Sequence, residues 1–204
     1  MYSPPYYRES KLEPIIQLIE KYSFAALLTY GGSESISHLP FLLDRNSHGD
    51  LSLLSHMAVA NPHWQELEKV GKAKVVFQGP HAYISPAWYA PEPSNVPTWN
   101  YAVVHAVGSF EVIRDGVISF EIMNKLVKRF EDGYGTEWQL PVDELSIKKL
   151  KESIVVFKIQ KIEFEAKFKL SQKQNPTDRH NVIKGLRNLN SATLGDLASY
   201  MEKT

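Results

Sequence analysis

Short runs that read as extended chain recur along this 204-residue sequence, each closed by turn residues. That rhythm limits the fold more than any other feature. Residues 24–30 are apolar and close on Gly31-Gly32, and residues 34–43 read as extended again, which is a hairpin signal. Residues 51–56, 73–78 and 99–113 repeat the pattern, with a kink expected at Gly108, and residues 154–164 alternate apolar and polar. Helical periodicity fills the gaps. Ser10-Lys11-Leu12-Glu13 has the form of a capping box, and Leu12, Ile15, Ile16, Ile19 and Tyr22 follow on one face, predicting a helix over 11–21. Asn61-Pro62 opens a second helix that stops at Gly71. Phe120, Met123, Leu126, Val127 and Phe130 mark a third over 117–132, and two short helices are predicted over 178–188 and 193–202. Six or so strands with hairpin turns and interspersed helices predict a mainly β chain with α additions: an antiparallel barrel rather than alternating βαβ units.

Composition narrows the function classes. Lys plus Arg and Asp plus Glu number 23 each, so the formal net charge is zero, which argues against a polyanion as the main partner. A chain of this mass buries roughly 70% of its unfolded surface, enough for one substantial core. There are no cysteines, which removes disulfides, thiolate metal sites and a cysteine nucleophile. No GxSxG, P-loop, GxGxxG or HExxH pattern occurs, and His56 and His63 are seven apart, so no metal site and no catalytic residue are assigned. The first ten residues lack the apolar core of a secretory signal, and no run approaches 18 apolar residues. The expectation is a soluble, cytoplasmic protein with no membrane partner.

Four segments could carry chemistry. His38, on the run Ser37-His38-Leu39-Pro40, shares a strand face with Pro40, opposite Ser37. The segment from Ser55-His56 to Asn61-Pro62-His63-Trp64 joins a strand end to a helix start, where free N–H groups suit a phosphate. Asn61 by itself reads as a helix cap. Residues 79–97 hold five of the twelve prolines, so regular structure there is expected to be short, and five aromatics fall between residues 83 and 101. Rigid aromatic walls suit a flat heteroaromatic ligand and suit a dimer interface equally. Finally, residues 158–187 carry eight basic residues against three acidic ones, the one local electrostatic footprint for an anionic partner.

Together these segments resemble the PaiB family of FMN-binding negative transcriptional regulators. The resemblance rests on Met1-Tyr2-Ser3-Pro4, His38-Leu39-Pro40-Phe41, Ala60-Asn61-Pro62-His63-Trp64 and the block from Phe77-Gln78-Gly79-Pro80-His81 through Ser85-Pro86. It continues in Pro97-Thr98-Trp99-Asn100-Tyr101, His105 and Lys169-Leu170-Ser171-Gln172. It implies an FMN-binding split β-barrel, antiparallel, over residues 1–170, with residues 171–204 as a helical extension packed on it. It implies a homodimer with flavin at the subunit interface, so aromatic wall and interface become one surface. Carried over by position, Ser37 with its neighbour His38, Ser55, His56 and Asn61 would serve the flavin phosphate. Trp99, Asn100 and His105 would lie nearer the ring, with Lys169 and Gln172 approaching from the other end. Val59 stands where family members often have a basic residue, which predicts weaker flavin binding. The family points to negative regulation of sporulation and degradative-enzyme genes, with DNA as a partner through the C-terminal basic region. The alternative on the same fold is a flavin-dependent oxidoreductase or a haem-handling enzyme.

Overall fold

A computed structural model describes residues 1–32, 35–91, 95–141, 143, 147 and 152–203. Glu34, where the second extended run was expected to begin, and Pro93 lie outside the described residues. The chain starts with a 3₁₀ turn, Pro5–Tyr7, and a two-residue strand, β1 (Arg8–Glu9), which carries no periodicity and was not expected. Then follow α1 (Leu12–Lys21), β2 (Phe24–Thr29), β3 (Ile36–Pro40), β4 (Leu42–Arg45), β5 (Leu51–Ala58), α2 (His63–Val70) and β6 (Lys72–Ile84). After a 3₁₀ turn at Pro86–Trp88 come β7 (Thr98–Val112), α3 (Gly116–Tyr134), β8 (Ile154–Lys169), α4 (Pro176–Asn188) and α5 (Ala192–Glu202). The strands form one sheet in the order β3-β2-β6-β7-β8-β5-β4, with β1 paired to β8. The registered pairs β1–β8, β2–β3, β2–β6, β4–β5 and β5–β8 are all antiparallel.

Among the boundaries that differ from expectation, two have a cause far along the chain. Residues 34–43 give two strands, because Phe41 turns inward and is buried while its N–H donates to the Ser23 carbonyl. The strand expected to end at Gln78 instead continues through Gly79-Pro80 to Ile84. The β2–β6 register runs from Ala26↔Val76 to Thr29↔Ala73, so Pro80 lies past it, where its missing N–H breaks no bond to β2.

The chain clusters into two compact units, and β6, β7 and β8 contribute residues to both. The first comprises residues 1–18, 78–104 and 165–204. Its core contains Leu18, Ile84, Ala102, Val104, Leu170, Val182, Leu186, Leu197 and Met201. The Asn175 side chain caps α4 by accepting from the Asp178 N–H, and the buried Asp178 carboxylate in turn accepts from the Ala90 N–H at 2.7 Å. The Trp88 indole packs on α4 at Gly185, where an added Cβ would sit 2.6 Å from the ring.

The second unit comprises residues 19–77 and 105–164. Phe41, Phe77, Phe110 and Phe157 form an aromatic core, with Phe41 edge-on to Phe77 and to Phe157 and the Phe110 and Phe157 rings 4.9 Å apart. A second cluster of Leu54, Ile122, Met123, Leu126 and Val156 lies between α3 and the sheet. Asp115 caps α3 by accepting from the N–H groups of Val117 and Ile118, and Gly135, at φ 68°, ends it. The expected kink at Gly108 is a close approach inside an unbroken strand: an added Cβ would sit 2.6 Å from the Gln160 carbonyl oxygen.

Backbone cannot yield there as a flexible side chain could. Gly108→Ala is therefore expected to destabilise by about 1–3 kcal/mol. At roughly 2–4 °C per kcal/mol for a chain of this size, calorimetry should show Tm lowered by several degrees. An unchanged Tm would mean that β7 and β8 are less tightly joined than described.

Candidate functional site

Strand alternation sorts the predicted residues before any chemistry is considered. In the first unit, Asn100, Ala102 and Val104 of β7 are buried, while Trp99 and Tyr101 point to the other face. Trp99 is 52% exposed. Its ring is stacked with that of His81 from β6, centroids 6.2 Å apart and planes 30° off parallel. Tyr83, two residues on, presents its edge to Trp99 at 6.4 Å. Three aromatic rings thus form an exposed wall on β6 and β7, an uncommon feature for a surface with no role in binding. Beside it, the Lys167 ammonium lies 5.3 Å from the centroid of the Tyr101 ring.

Asn100 belongs to the opposite face of the strand. It is fully buried, donates to Ser171 Oγ at 2.8 Å and touches Met201 Sδ, and its Oδ1 has no hydrogen-bond partner among the described residues. Lys169 is half-buried and donates to Thr98 Oγ1. Gln172 accepts from the Leu170 N–H and donates to the Phe168 carbonyl, closing the turn at Ser171, whose φ is 61°.

In the second unit, Ser37 and Asn61 are drawn together by a residue that the motif reading passed over. His63 is buried, with Nδ1 2.8 Å from Ser37 Oγ and Nε2 3.2 Å from Thr29 Oγ1. Asn61 donates to Ser37 Oγ at 3.0 Å and accepts from the His63 N–H, so it is the helix cap expected of it. Ser55 is fully buried and donates to the Pro40 carbonyl at 2.7 Å. His38 is exposed and stacks on Phe24. His56 is half-buried opposite Val156, with no hydrogen-bond partner for its buried Nδ1. His105 is half-buried on β7. Ile113 N donates to the Val156 carbonyl, Val156 is the registered partner of His56, and His105 lies eight residues back along β7, so the two histidines stand at different levels of the sheet. The unit therefore assembles Ser37, Asn61 and His63, and does not bring the other two histidines together.

Burial lowers the pKa values of His56 and His63 below the ordinary histidine value, with Glu66 opposing the shift at His63. Both rings are thereby biased towards the neutral form. Sequence reasoning reached the segments that hold His81, Tyr83 and Lys167, counting Tyr83 among five aromatics and Lys167 in the basic run, but assigned none of the three to the site. Spacings of two along a strand could have found all three, but the prolines after Gln78 masked the continuation of β6. Among the described residues, no group of three His, Asp or Glu side chains could hold a metal ion, and no helix is long and apolar enough to cross a membrane.

A planar ring with a phosphate tail needs a flat wall and nearby cations. Trp99, His81 and Tyr83 offer the first, and Lys167 and Lys169 the second, so the first unit suits a flavin. The comparisons agree on the class. The chain matches the flavocytochrome Anf3 of Azotobacter vinelandii with a TM-score of 0.61 at 14% identity, covering 86% of this chain and 75% of that one. It matches the FAD and heme binding protein of Mycobacterium smegmatis with a TM-score of 0.60 at 15% identity, covering 85% and 78%. The fold is the antiparallel split β-barrel shared with flavin-binding proteins. A family model described as "Putative FMN-binding domain" matches residues 1–163. Over 209 residues, 99% of this chain and 97% of the relative, the sequence is 37% identical to Protease synthase and sporulation protein PAI 2 of Bacillus subtilis. The chain belongs to the PaiB family, whose members carry this FMN-binding domain.

The two histidines make stability depend on pH in a defined direction. Their folded pKa values lie below the unfolded value near 6.5, so between the two values the unfolded chain holds more protons. The stability they contribute is complete above about pH 6.5 and is lost as pH falls towards the folded values. Thermal melts are expected to show Tm falling between pH 7 and pH 5, and His56→Gln is expected to flatten that slope. A slope unchanged in His56→Gln would remove His56 as its source.

Proposed function

We propose that this protein is an FMN-binding homodimer that acts as a negative regulator of gene expression. The observation that carries the flavin reading is the exposed wall of Trp99, His81 and Tyr83 on the outward face of β6 and β7. An isoalloxazine stacked on Trp99 would cover it on one side, and a second subunit would cover what remains. Lys169 and Lys167 supply positive charge to the same unit. Ser37, Ser55 and Asn61 already have hydrogen-bond partners within the chain, so they support a phosphate site by shaping it rather than as free donors. When bound, FMN would supply redox chemistry, and the chain's part would be to hold and orient it.

Support for the regulatory role comes from the relative's name as a sporulation protein and from the family resemblance. The C-terminal helices narrow how such regulation would work. Residues 192–202, which form α5, contain no Lys or Arg, and on α4 Arg187 pairs with Glu202 while Arg179 donates to the Met201 carbonyl. A helix pair whose second member lacks a basic side chain is poorly suited to the major groove. Regulation would then pass through a protein contact controlled by the flavin surface.

Freshly purified protein is expected to show the visible absorption bands of bound oxidised flavin, or to acquire them when FMN is added. Loss of one stacking partner is worth about 1–3 kcal/mol for a comparable aromatic base, so Trp99→Ala should weaken FMN binding about tenfold or more. Sedimentation should give the mass of a dimer. Colourless protein that binds no added FMN, or equal affinity in Trp99→Ala, would overturn the flavin reading. A salt-sensitive shift of DNA fragments by the protein alone would overturn the indirect route of regulation.

A further inference from the structure

Among the described residues Lys167 is the one buried lysine, at 8% exposure. Its ammonium donates to the Tyr2 carbonyl at 3.1 Å and lies over the rings of Tyr2 and Tyr101, 5.5 and 5.3 Å from their centroids. Among the described residues no carboxylate pairs with it. The nearest acidic residue on its own face of β8, Glu165, holds the Met1 amino group with both oxygens. Arg8 of β1 is its registered cross-strand partner, so a second cation stands directly opposite the first, an arrangement that destabilises a sheet unless something neutralises it. Among the described residues the Arg8 guanidinium reaches the Ser3 carbonyl, at 3.4 Å, and no carboxylate. Glu9, beside Arg8, points its carboxylate back to the Lys11 N–H. Lys173 adds a third cation, 3.8 Å above the Tyr6 ring. Burial pushes the Tyr7 hydroxyl above its ordinary value, and the charges of Lys173 and Lys167 oppose that shift. All of these residues belong to the first unit.

Cations gathered around tyrosines without carboxylates are an incomplete electrostatic arrangement. Cation–π contacts and a single carbonyl offset part of the cost of burying an ammonium and leave two of its protons without a partner. A tetrahedral dianion completes it, since it accepts from several N–H and O–H donors at once. We propose that Lys167, Lys173, Arg8 and the Tyr7 hydroxyl form a binding site for a phosphate group. The Tyr2 ring lies over the Lys167 ammonium and the residue is 84% exposed, so a phosphate would displace that ring rather than any core side chain. The assignment does not rest on the flavin reading, because the site is defined by its donors and can be probed with inorganic phosphate alone.

The test is a titration of the whole protein with inorganic phosphate at constant ionic strength, followed by ³¹P line broadening and by thermal shift. Saturable broadening and a rising Tm are expected. Lys167→Met keeps the stem and removes the charge, and should weaken binding about ten- to hundredfold, the size of one charge-assisted hydrogen bond. Because a core position may not tolerate change, Lys173→Gln and Tyr7→Phe at the exposed and half-buried positions provide a second reading, with losses of several-fold expected from each. Two sources of the phosphate give distinct results, both in support. Phosphate that competes with FMN and not with riboflavin marks the tail of a nucleotide cofactor, whereas phosphate that binds equally in the presence of either marks a separate small ligand. No saturable response in the unaltered protein, or undiminished binding in Lys167→Met and Lys173→Gln together, would overturn the proposal. Absence of flavin binding alone would leave the phosphate titration intact and would count only against the flavin reading.

Discussion

Alternation along β7 governs what this chain can present. Asn100, Ala102, Val104, Ala106, Gly108 and Phe110 are buried one after another, and the residues between them face the other way. A strand has a side-chain period of two, so a slip of one residue would put Trp99 and Tyr101 inside and leave valine and alanine outside. The register is held at both ends by features that tolerate no shift. At one end Asn100 reaches Ser171, and at the other Gly108 lies against the Gln160 carbonyl with no room for a Cβ. The exposed wall is thus the obligatory reverse side of a packed strand. Its exposure follows from the same period that fills the interior.

Much of this was legible in the sequence because periodicity is local. The helices over 11–21 and 117–132, and the long runs ending in β7 and β8, depend on spacings within a few residues, and they appear with boundaries shifted by one to five. What could not be read depended on partners far along the chain. Pro80 looks like a stop until β2 is seen to pair only as far as Val76, after which a residue without an N–H is acceptable. Phe41 looks like the middle of one strand until burial turns it inward and divides the run in two. Strand β1 has two residues and no period, and exists because Lys167 and Ala166 lie opposite it. For the site, residue types were readable and faces were not. Trp99 and Asn100 are adjacent in every motif, yet one is on the surface and the other in the core.

Histidine shows why residue type underdetermines role. His63 and His81 each follow a proline in a segment singled out from the sequence. His63 has each ring nitrogen beside a hydroxyl, at 2.8 and 3.2 Å, and burial favours its neutral form. With both nitrogens engaged it links β2, β3 and α2 and has little capacity to move a proton. His81 stacks on an exposed indole and has its Nδ1 near the Gly79 carbonyl at 3.3 Å, leaving the other nitrogen towards solvent. The difference is one of depth and hydrogen-bond supply, and neither quantity is encoded within ten residues of either histidine.

Charge follows the same logic at a larger scale. A net charge of zero argues against a polyanion partner for the whole molecule, and the local excess of five between residues 158 and 187 reopens the question for one region. Most of that excess is used internally. Arg187 is matched by Glu202 on the facing helix, Arg179 by a carbonyl, and Lys169 by a threonine hydroxyl. The exposed Arg187–Glu202 ion pair contributes about 0–1 kcal/mol, so it neutralises charge more than it holds the fold, whereas the carbonyl and the hydroxyl accept a hydrogen bond and leave the Arg179 and Lys169 charges in place. Lys167 differs because it is buried without a counter-charge. If packing were its whole purpose, an aliphatic side chain of the same length would fill the volume without the desolvation cost that an ammonium carries. A cation retained in such a place is explained by electrostatics rather than by volume. The tyrosines around it lower the cost through their ring faces, which aliphatic packing would not do.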